Sequence, residues 1–285
     1  MPDTANRHGA YLVVCLNPTI QKSLVFKSLA KGEVNRTSDY RVDVSGKGVN
    51  VARVLGQLGR TAMQLTQLGG PTREWFLAMC AADGLDLRWV ESGSEIRFCT
   101  TVLDKGEGSA TELVEESRAV EAGTAARILD EYDRLLPEVA TVMLSGTKAA
   151  GFPPPIMPAM AERAAAAGKR LFLDIKGQDL LGCLPYRPLV VKPNLEELLQ
   201  TYAPEKSEAL RLVGSPAAAD EDAMRDLVAR VGREYKEKYG AWLVVTRGSS
   251  PTLYWDGARG GSQVGREVIG SDRPQLGLGE AAADG

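Results

Sequence analysis

Val44-Ser45-Gly46-Lys47-Gly48-Val49-Asn50-Val51-Ala52-Arg53-Val54-Leu55 is the stretch on which the reading of this chain turns. Two glycines bracket a lysine, and apolar residues at helical spacing follow: Val51, Val54, Leu55 and Leu58. Lacking a Cβ, Gly46 and Gly48 let the backbone come close to a ligand. The pattern predicts a helix whose first-turn amides, Gly48 to Val51, are unpaired donors. With Lys47 beside them they attract an anion. Asn50, one turn in, offers a donor and an acceptor suited to sugar hydroxyls. The plainer reading of the same residues is a loop-to-helix turn with an exposed lysine.

Upstream, Tyr11-Leu-Val-Val-Cys-Leu16 is a short apolar run ended by Asn17-Pro18, which reads as a buried first strand. The C-terminal ends of parallel strands face the ligand crevice of an open α/β sheet, so Asn17 is placed to touch substrate. Cys15, inside the run, reads as a buried inert thiol. Downstream, strand-like and helix-like segments alternate. Strands are expected at 62–68, 139–144, 170–175, 189–191 and 241–246, and helices at 73–83, 119–136, 158–167 and 222–239. That alternation predicts a doubly wound, mostly parallel sheet with helices on both faces. Looser alternation at about 22–45 and 87–120 predicts a second, exposed set of strands inserted into one domain spanning 1–285.

The chain has 285 residues, 44% apolar and 25% charged, enough for one large α/β domain. A net charge of -3 gives no reason to expect nucleic acid or an anionic membrane as partner. No apolar run approaches the length of a membrane span. Met1 to Gly9 is polar and unlike a signal peptide. The four cysteines, Cys15, Cys80, Cys99 and Cys183, form no Cys-x-x-Cys, which fits a reduced, cytoplasmic protein. The one histidine, His8, excludes His-x-x-x-His metal sites and Ser-His-Asp hydrolysis within a single chain. Acid–base chemistry here falls to carboxylates, lysine or tyrosine.

Gly46-Lys47-Gly48-Val49-Asn50-Val51-Ala52 resembles the first signature of the PfkB (ribokinase-like) sugar kinases, nearest the branch of 1-phosphofructokinase and tagatose-6-phosphate kinase. Asn17-Pro18 and Lys192-Pro193-Asn194-Leu195-Glu196-Glu197-Leu198 match the same branch in the same order. The resemblance runs from about Tyr11 to about Trp255. It implies a ribokinase-like fold with a small β lid over the sugar. It also implies a kinase that uses ATP and Mg2+ on a phosphorylated ketohexose, fructose 1-phosphate or tagatose 6-phosphate. In the same terms, Lys47 and Arg97 hold the substrate phosphate, while Asn17, Gln21, Gly46, Gly48, Asn50 and Glu112 line the sugar site. Lys192, Asn194, Glu197, Thr246 and Gly248 serve the nucleotide, with Glu197 reaching the metal directly or through water. The exposed lid strands predict a homodimer.

The residues carry their own chemistry beside the resemblance. A guanidinium such as Arg97 suits phosphate because its planar fork makes two hydrogen bonds at once, although a solvated surface arginine reads the same way. Asn194 and Glu197, three apart at a helix start, share a face and suit Mg2+ or its waters. The same pair is also what a capped helix N-terminus favours.

Four positions depart from the family pattern. Gln21 stands where an aspartate usually binds sugar hydroxyls. Lys148 follows Ser145-Gly146-Thr147, where Ser-Gly-Ser-Leu-Pro is usual. Pro251 replaces a glycine after Thr246-Arg247-Gly248. Most consequentially, the catalytic Gly-(Ala/Ser)-Gly-Asp is present only as Gly270-Ser271-Asp272, one glycine short, and no well-patterned helix follows. Asp272 is the candidate base, with Gly270 and Ser271 supplying the anion-hole turn. The expectation is a chain whose end is incomplete or altered after Gly270, poorly packed beyond about Gly257, and very weak or inactive in phosphoryl transfer. Two other readings remain open: a kinase of an unphosphorylated sugar or nucleoside, and a non-catalytic sugar-phosphate-binding protein.

Overall fold

The computed structural model describes residues 9–205, 221–248 and 250–255, and the backbone of 265–267. The chain divides into two compact units, residues 1–191 and 192–285, where the sequence predicts a single domain.

The first unit runs β1 (Tyr11–Cys15), β2 (Thr19–Phe26), β3 (Tyr40–Ser45), α1 (Lys47–Gln57), β4 (Ala62–Leu68), α2 (Arg73–Ala82), β5 (Asp86–Glu91), β6 (Arg97–Asp104), β7 (Ser109–Val114), α3 (Thr124–Leu135), β8 (Thr141–Ser145), α4 (Ile156–Ala166), β9 (Arg170–Asp174), α5 (Gly177–Cys183) and β10 (Val190–Val191). Six of its strands form a parallel sheet in the order β10-β9-β8-β1-β4-β5. β1 is buried from Leu12 to Cys15, as a continuous apolar run requires when helices cover both faces of a parallel sheet. The other four strands make a separate sheet, β3-β2-β6-β7, in which β2 and β6 pair in parallel.

That second sheet lies within the stretches expected near 22–45 and 87–120 as lid strands, with different bounds, and is called the lid below. Asp86–Glu91 pairs in parallel with β4 in the main sheet, so the second lid segment begins at Arg97. It ends at Val114 rather than 120. The helix expected from 119 begins at Thr124, because the amides of Val120 and Glu121 bond to Ala150 O and Ser92 O and hold that stretch extended. The short helix α5 was not foreseen; its seven residues include two glycines, which mask its period. The lid is seated by an apolar cluster. Ile20 and Val44 from its strands pack with Cys15, Val49, Leu68, Phe76, Cys80 and Ile96. Burying each Val or Ile in such a cluster stabilises by roughly 1.5–3 kcal/mol relative to exposure.

The second unit contains α6 (Leu195–Tyr202), α7 (Glu221–Tyr239), and β11 (Trp242–Arg247), β12 (Ser250–Trp255) and β13 (Gly265–Glu267). The three strands are antiparallel neighbours in that order. β12 was not anticipated, because Pro251 and Thr252 break its apolar alternation. The buried face of α7 is formed by Met224, Leu227, Val228, Val231 and Tyr235, with the Tyr235 hydroxyl 2.6 Å from that of Tyr202. Among the described residues, no helix is long and apolar enough to cross a membrane.

Candidate active site

The Gly46–Asn50 turn forms as a helix start, and each of its two glycines also has a structural reason to be there. Gly46 caps α1 at φ 119, a conformation that an L side chain resists. A Cβ on Gly48 would lie 2.6 Å from Cys15 Cβ, so this glycine lets α1 pack on β1. The first-turn amides are not four open donors. Asn50 N–H bonds to Gly46 O at 3.0 Å, and the amides of Gly48 and Val49 face the Cys15 sulfur. Burial raises the Cys15 thiol pKa, and those amides, with that of Asn17, only partly offset it. Cys80, in the same cluster, is pushed up to about 12 by burial. Both are inert thiols.

Lys47 is the first residue of α1. Its ammonium lies 3.3 Å from Asp174 Oδ1 at the end of β9, and its stem runs beside Gly146, whose amide bonds to Asp174 O at 2.9 Å. Asp174 escaped the sequence reading. The strand-end rule that picked out Asn17 applies to it equally. Asn17 is 7% exposed; its Nδ2 donates to Thr147 Oγ1 at 3.1 Å, and its Oδ1 has no hydrogen-bond partner among the described residues. An amide so oriented presents a buried acceptor.

Arg97 opens β6. Thr19 is paired on one side with Ser45, directly before Gly46, and on the other with Arg97. Arg97 therefore stands two strands from the α1 turn, and its charge is felt by the Cys15 thiol. One Nη donates to Glu115 O at 3.2 Å, while Nε is buried with no partner among the described residues. By strand register, Gln21, Arg97, Thr101 and Glu112 share one face of the lid. Gln21 Nε2 bonds to Thr101 Oγ1 at 2.7 Å, which holds a neutral amide where the family places an acid. Glu112 lies on a strand exposed along its whole length. Asn50 is exposed: its Oδ1 accepts from Arg53, whose guanidinium also bridges to Asp83 and Val44 O. It is the member of the expected sugar set most engaged elsewhere.

In the second unit, Asn194 and Glu197 form a reciprocal capping box. Glu197 N–H donates to Asn194 Oδ1 at 2.8 Å, and Asn194 N–H to Glu197 Oε2 at 3.0 Å. The helix-cap reading of this pair is therefore realised. Thr246 N–H bonds to Pro193 O at 3.2 Å, and Asn194 bridges Thr246 in parallel, which brings Lys192, Asn194, Glu197, Thr246 and Gly248 into one region. Gly248 turns the chain at φ 62, and among the described residues nothing lies within 4 Å of where its Cβ would be. Arg247 between them is 8% exposed and forks onto both oxygens of Glu221 at the start of α7. Among the described residues no cluster of three or more His, Cys, Asp or Glu could hold a metal. Gly270, Ser271 and Asp272, and everything after Gly257 except the strand 265–267, lie outside the described residues.

Residues 12–267 match the model of the pfkB family carbohydrate kinases. Phosphofructokinase-2 from Escherichia coli, in complex with fructose-6-phosphate, superposes with a TM-score of 0.70 at 21% identity, covering 88% of this chain and 78% of that one. A tetrameric inhibited form of the same enzyme gives 0.70 at 20%, covering 88% and 78%. A possible 1-phosphofructokinase from Thermotoga maritima gives 0.70 at 20% identity, covering 86% and 74%.

Proposed function

Because the chain belongs to the pfkB family of carbohydrate kinases, we propose that it phosphorylates a ketohexose that already bears a phosphate. Fructose 1-phosphate and tagatose 6-phosphate lead, and fructose 6-phosphate joins them from the Escherichia coli relative. The observation that carries this reading is the shared strand partner Thr19, which sets Arg97 and the Lys47 turn two strands apart. Two cations beside an α1 start with no acid in its first turn suit one phosphate. Asn17 Oδ1, Gln21, Gly46 and Asn50 then serve the sugar hydroxyls, with Glu112 at the lid edge.

ATP, when bound, supplies the phosphoryl group, and Mg2+ the charge that offsets it. Lys192, Thr246 and Gly248 would hold the nucleotide. The first turn of α6 carries Glu196 and Glu197, which repel bare phosphate and favour approach through a cation. Since Glu197 closes the helix cap, it would serve the metal through water. Asp272 would accept the proton of the attacking hydroxyl, with Gly270 and Ser271 forming the anion-hole turn. We further propose a homodimer through the lid, in the cytoplasm. Tyr40, Leu113 and Val114 are 59%, 58% and 51% exposed there, and all four cysteines are free and buried.

Calorimetry with fructose 1-phosphate, then ATP turnover, tests this. Arg97→Ala is expected to weaken sugar-phosphate binding at least about tenfold, the worth of a charge-assisted hydrogen bond; unchanged affinity removes Arg97 from the site. Turnover is expected to be very weak or absent, to be no higher in Asp272→Asn, and to rise when a glycine is inserted between Ser271 and Asp272. Robust turnover surviving Asp272→Asn assigns the wrong base. A monomeric mass by light scattering at micromolar concentration removes the dimer.

A further inference from the structure

Lys148, which departs from the family pattern, has no part in the reading above. Its ammonium sits between the two carboxylate oxygens of Asp179, on α5, with side chains only 22% and 19% exposed. The loop that carries it, leaving β8, is pinned at both flanks by backbone bonds. Gly146 N–H donates to Asp174 O at 2.9 Å, and Ala149 N–H to Leu16 O at 3.1 Å. Between these pins lies Thr147, exposed, whose Oγ1 takes the Asn17 amide proton. A threonine hydroxyl that has accepted one hydrogen bond still has its own proton to give. Thr147 O–H and Asn17 Oδ1 therefore form a donor–acceptor couple at the ends of β1 and β8, with Asn17 more than nine-tenths buried and its oxygen without a partner among the described residues.

We infer that the Lys148–Asp179 pair is a positioning device for substrate hydroxyl recognition. It fixes the peptide following Thr147, and so the direction of the Thr147 hydroxyl and of the Asn17 amide hydrogen-bonded to it. Neither Lys148 nor Asp179 touches substrate. Thr147 joins Asn17 as a group that binds a sugar hydroxyl. Both oxygens of the one Asp179 carboxylate hold the Lys148 ammonium at 2.5 Å, closer than the 3.3 Å between Lys47 and Asp174, so Lys148 is committed to that pair rather than to a phosphate. This inference rests on the proposed sugar-phosphate site in the first unit.

Two probes separate the roles. Inorganic phosphate has no sugar hydroxyl and reports only on Lys47 and Arg97. Fructose 1-phosphate reports on both halves of the site. In Lys148→Met and in Asp179→Asn, fructose 1-phosphate is expected to bind about three- to tenfold more weakly, the range for one misplaced neutral hydrogen bond. Inorganic phosphate affinity stays at the wild-type value, and Lys148→Arg restores sugar-phosphate binding. The Asn17 side-chain amide resonance, read by NMR without ligand, is expected to shift in Lys148→Met and return in Lys148→Arg. Equal losses for both probes, or an unchanged fructose 1-phosphate affinity with an unmoved Asn17 resonance, overturn the inference and leave the site standing. A wild-type chain that binds neither probe overturns both.

Discussion

Two helix starts in this molecule read alike as ligand sites, at Gly46 and at Asn194, and the structure finishes them in opposite ways. The α1 start is capped by a glycine, with no side-chain hydrogen bond and no acid in its first turn. Its inner amides face a thiol, and its lysine reaches an aspartate on a neighbouring strand. The α6 start is closed by its own side chains, Asn194 and Glu197, and carries two glutamates in that turn. A helix N-terminus is a partial positive charge wherever it occurs. Whether it can receive an anion depends on what the protein has already put there. The first start keeps an acid-free turn beside Lys47, and the second is closed by a capping box that stabilises its helix.

The sharpest way to break this comparison is Gly48→Ala. The added Cβ meets the β-carbon of Cys15 at 2.6 Å, within a buried strand. Overpacking of this kind costs about 1–3 kcal/mol, read as a fall in denaturation midpoint at constant slope. A loss below about 0.5 kcal/mol means that α1 and β1 are not packed as described. Next, Lys47→Glu gives α1 the acidic first turn that α6 already has. Inorganic phosphate affinity is expected to fall at least about tenfold by calorimetry; undiminished binding places the anion elsewhere.

Asn194→Ala removes the cap of the other helix. It is expected to cost about 1 kcal/mol in chemical denaturation. A neutral result would mean that the box contributes nothing, and would return Asn194 to a purely ligand-binding reading. The smallest effect belongs to the Arg247–Glu221 fork. The hydrogen bond from Arg247 holds the Glu221 carboxyl below the usual carboxylate range, aided by the charges of Arg247 and Arg225. A depressed folded pKa gives stability that is present above the unfolded value and lost as pH falls through the folded one. Glu221 is 46% exposed, so water can replace part of what it gives. Glu221→Gln is therefore expected to cost about 1 kcal/mol or less near neutral pH, and the gap should shrink as pH falls below the ordinary glutamate range and close once it passes the depressed folded value. A gap that stays constant into acid breaks the assignment.

Much of the site was legible in residue order. Although Asn17 and Lys47 find their partners, Thr147 and Asp174, far along the chain, Asn17-Pro18, Gly46 to Ala52 and Lys192 to Leu198 are short and contiguous, so residue order alone picks them out. The capping box is an example: a spacing of three along one helix places both partners, so its two hydrogen bonds were implicit in the sequence. Asp174 and Asp179 were not visible in the same way. Each lies more than twenty residues from the lysine it meets, and nothing in its own neighbourhood distinguishes it from a solvated acid. The lid boundary failed for a related reason. Asp86–Glu91 and Arg97–Asp104 both alternate, and alternation marks a strand without naming its partner.

By itself, then, the order of residues determined the alternation of strand and helix, the family, and the local turns that bring backbone amides together. These depend on periods and spacings of a few residues, where chain geometry leaves little choice. Only the tertiary structure decided which sheet β5 joined, that Gly48 faces Cys15 rather than a ligand, and that Lys47 and Lys148 each meet an aspartate from another strand or helix. Those outcomes come from long-range packing, in which a side chain's partner is set by the register and layering of elements distant in sequence.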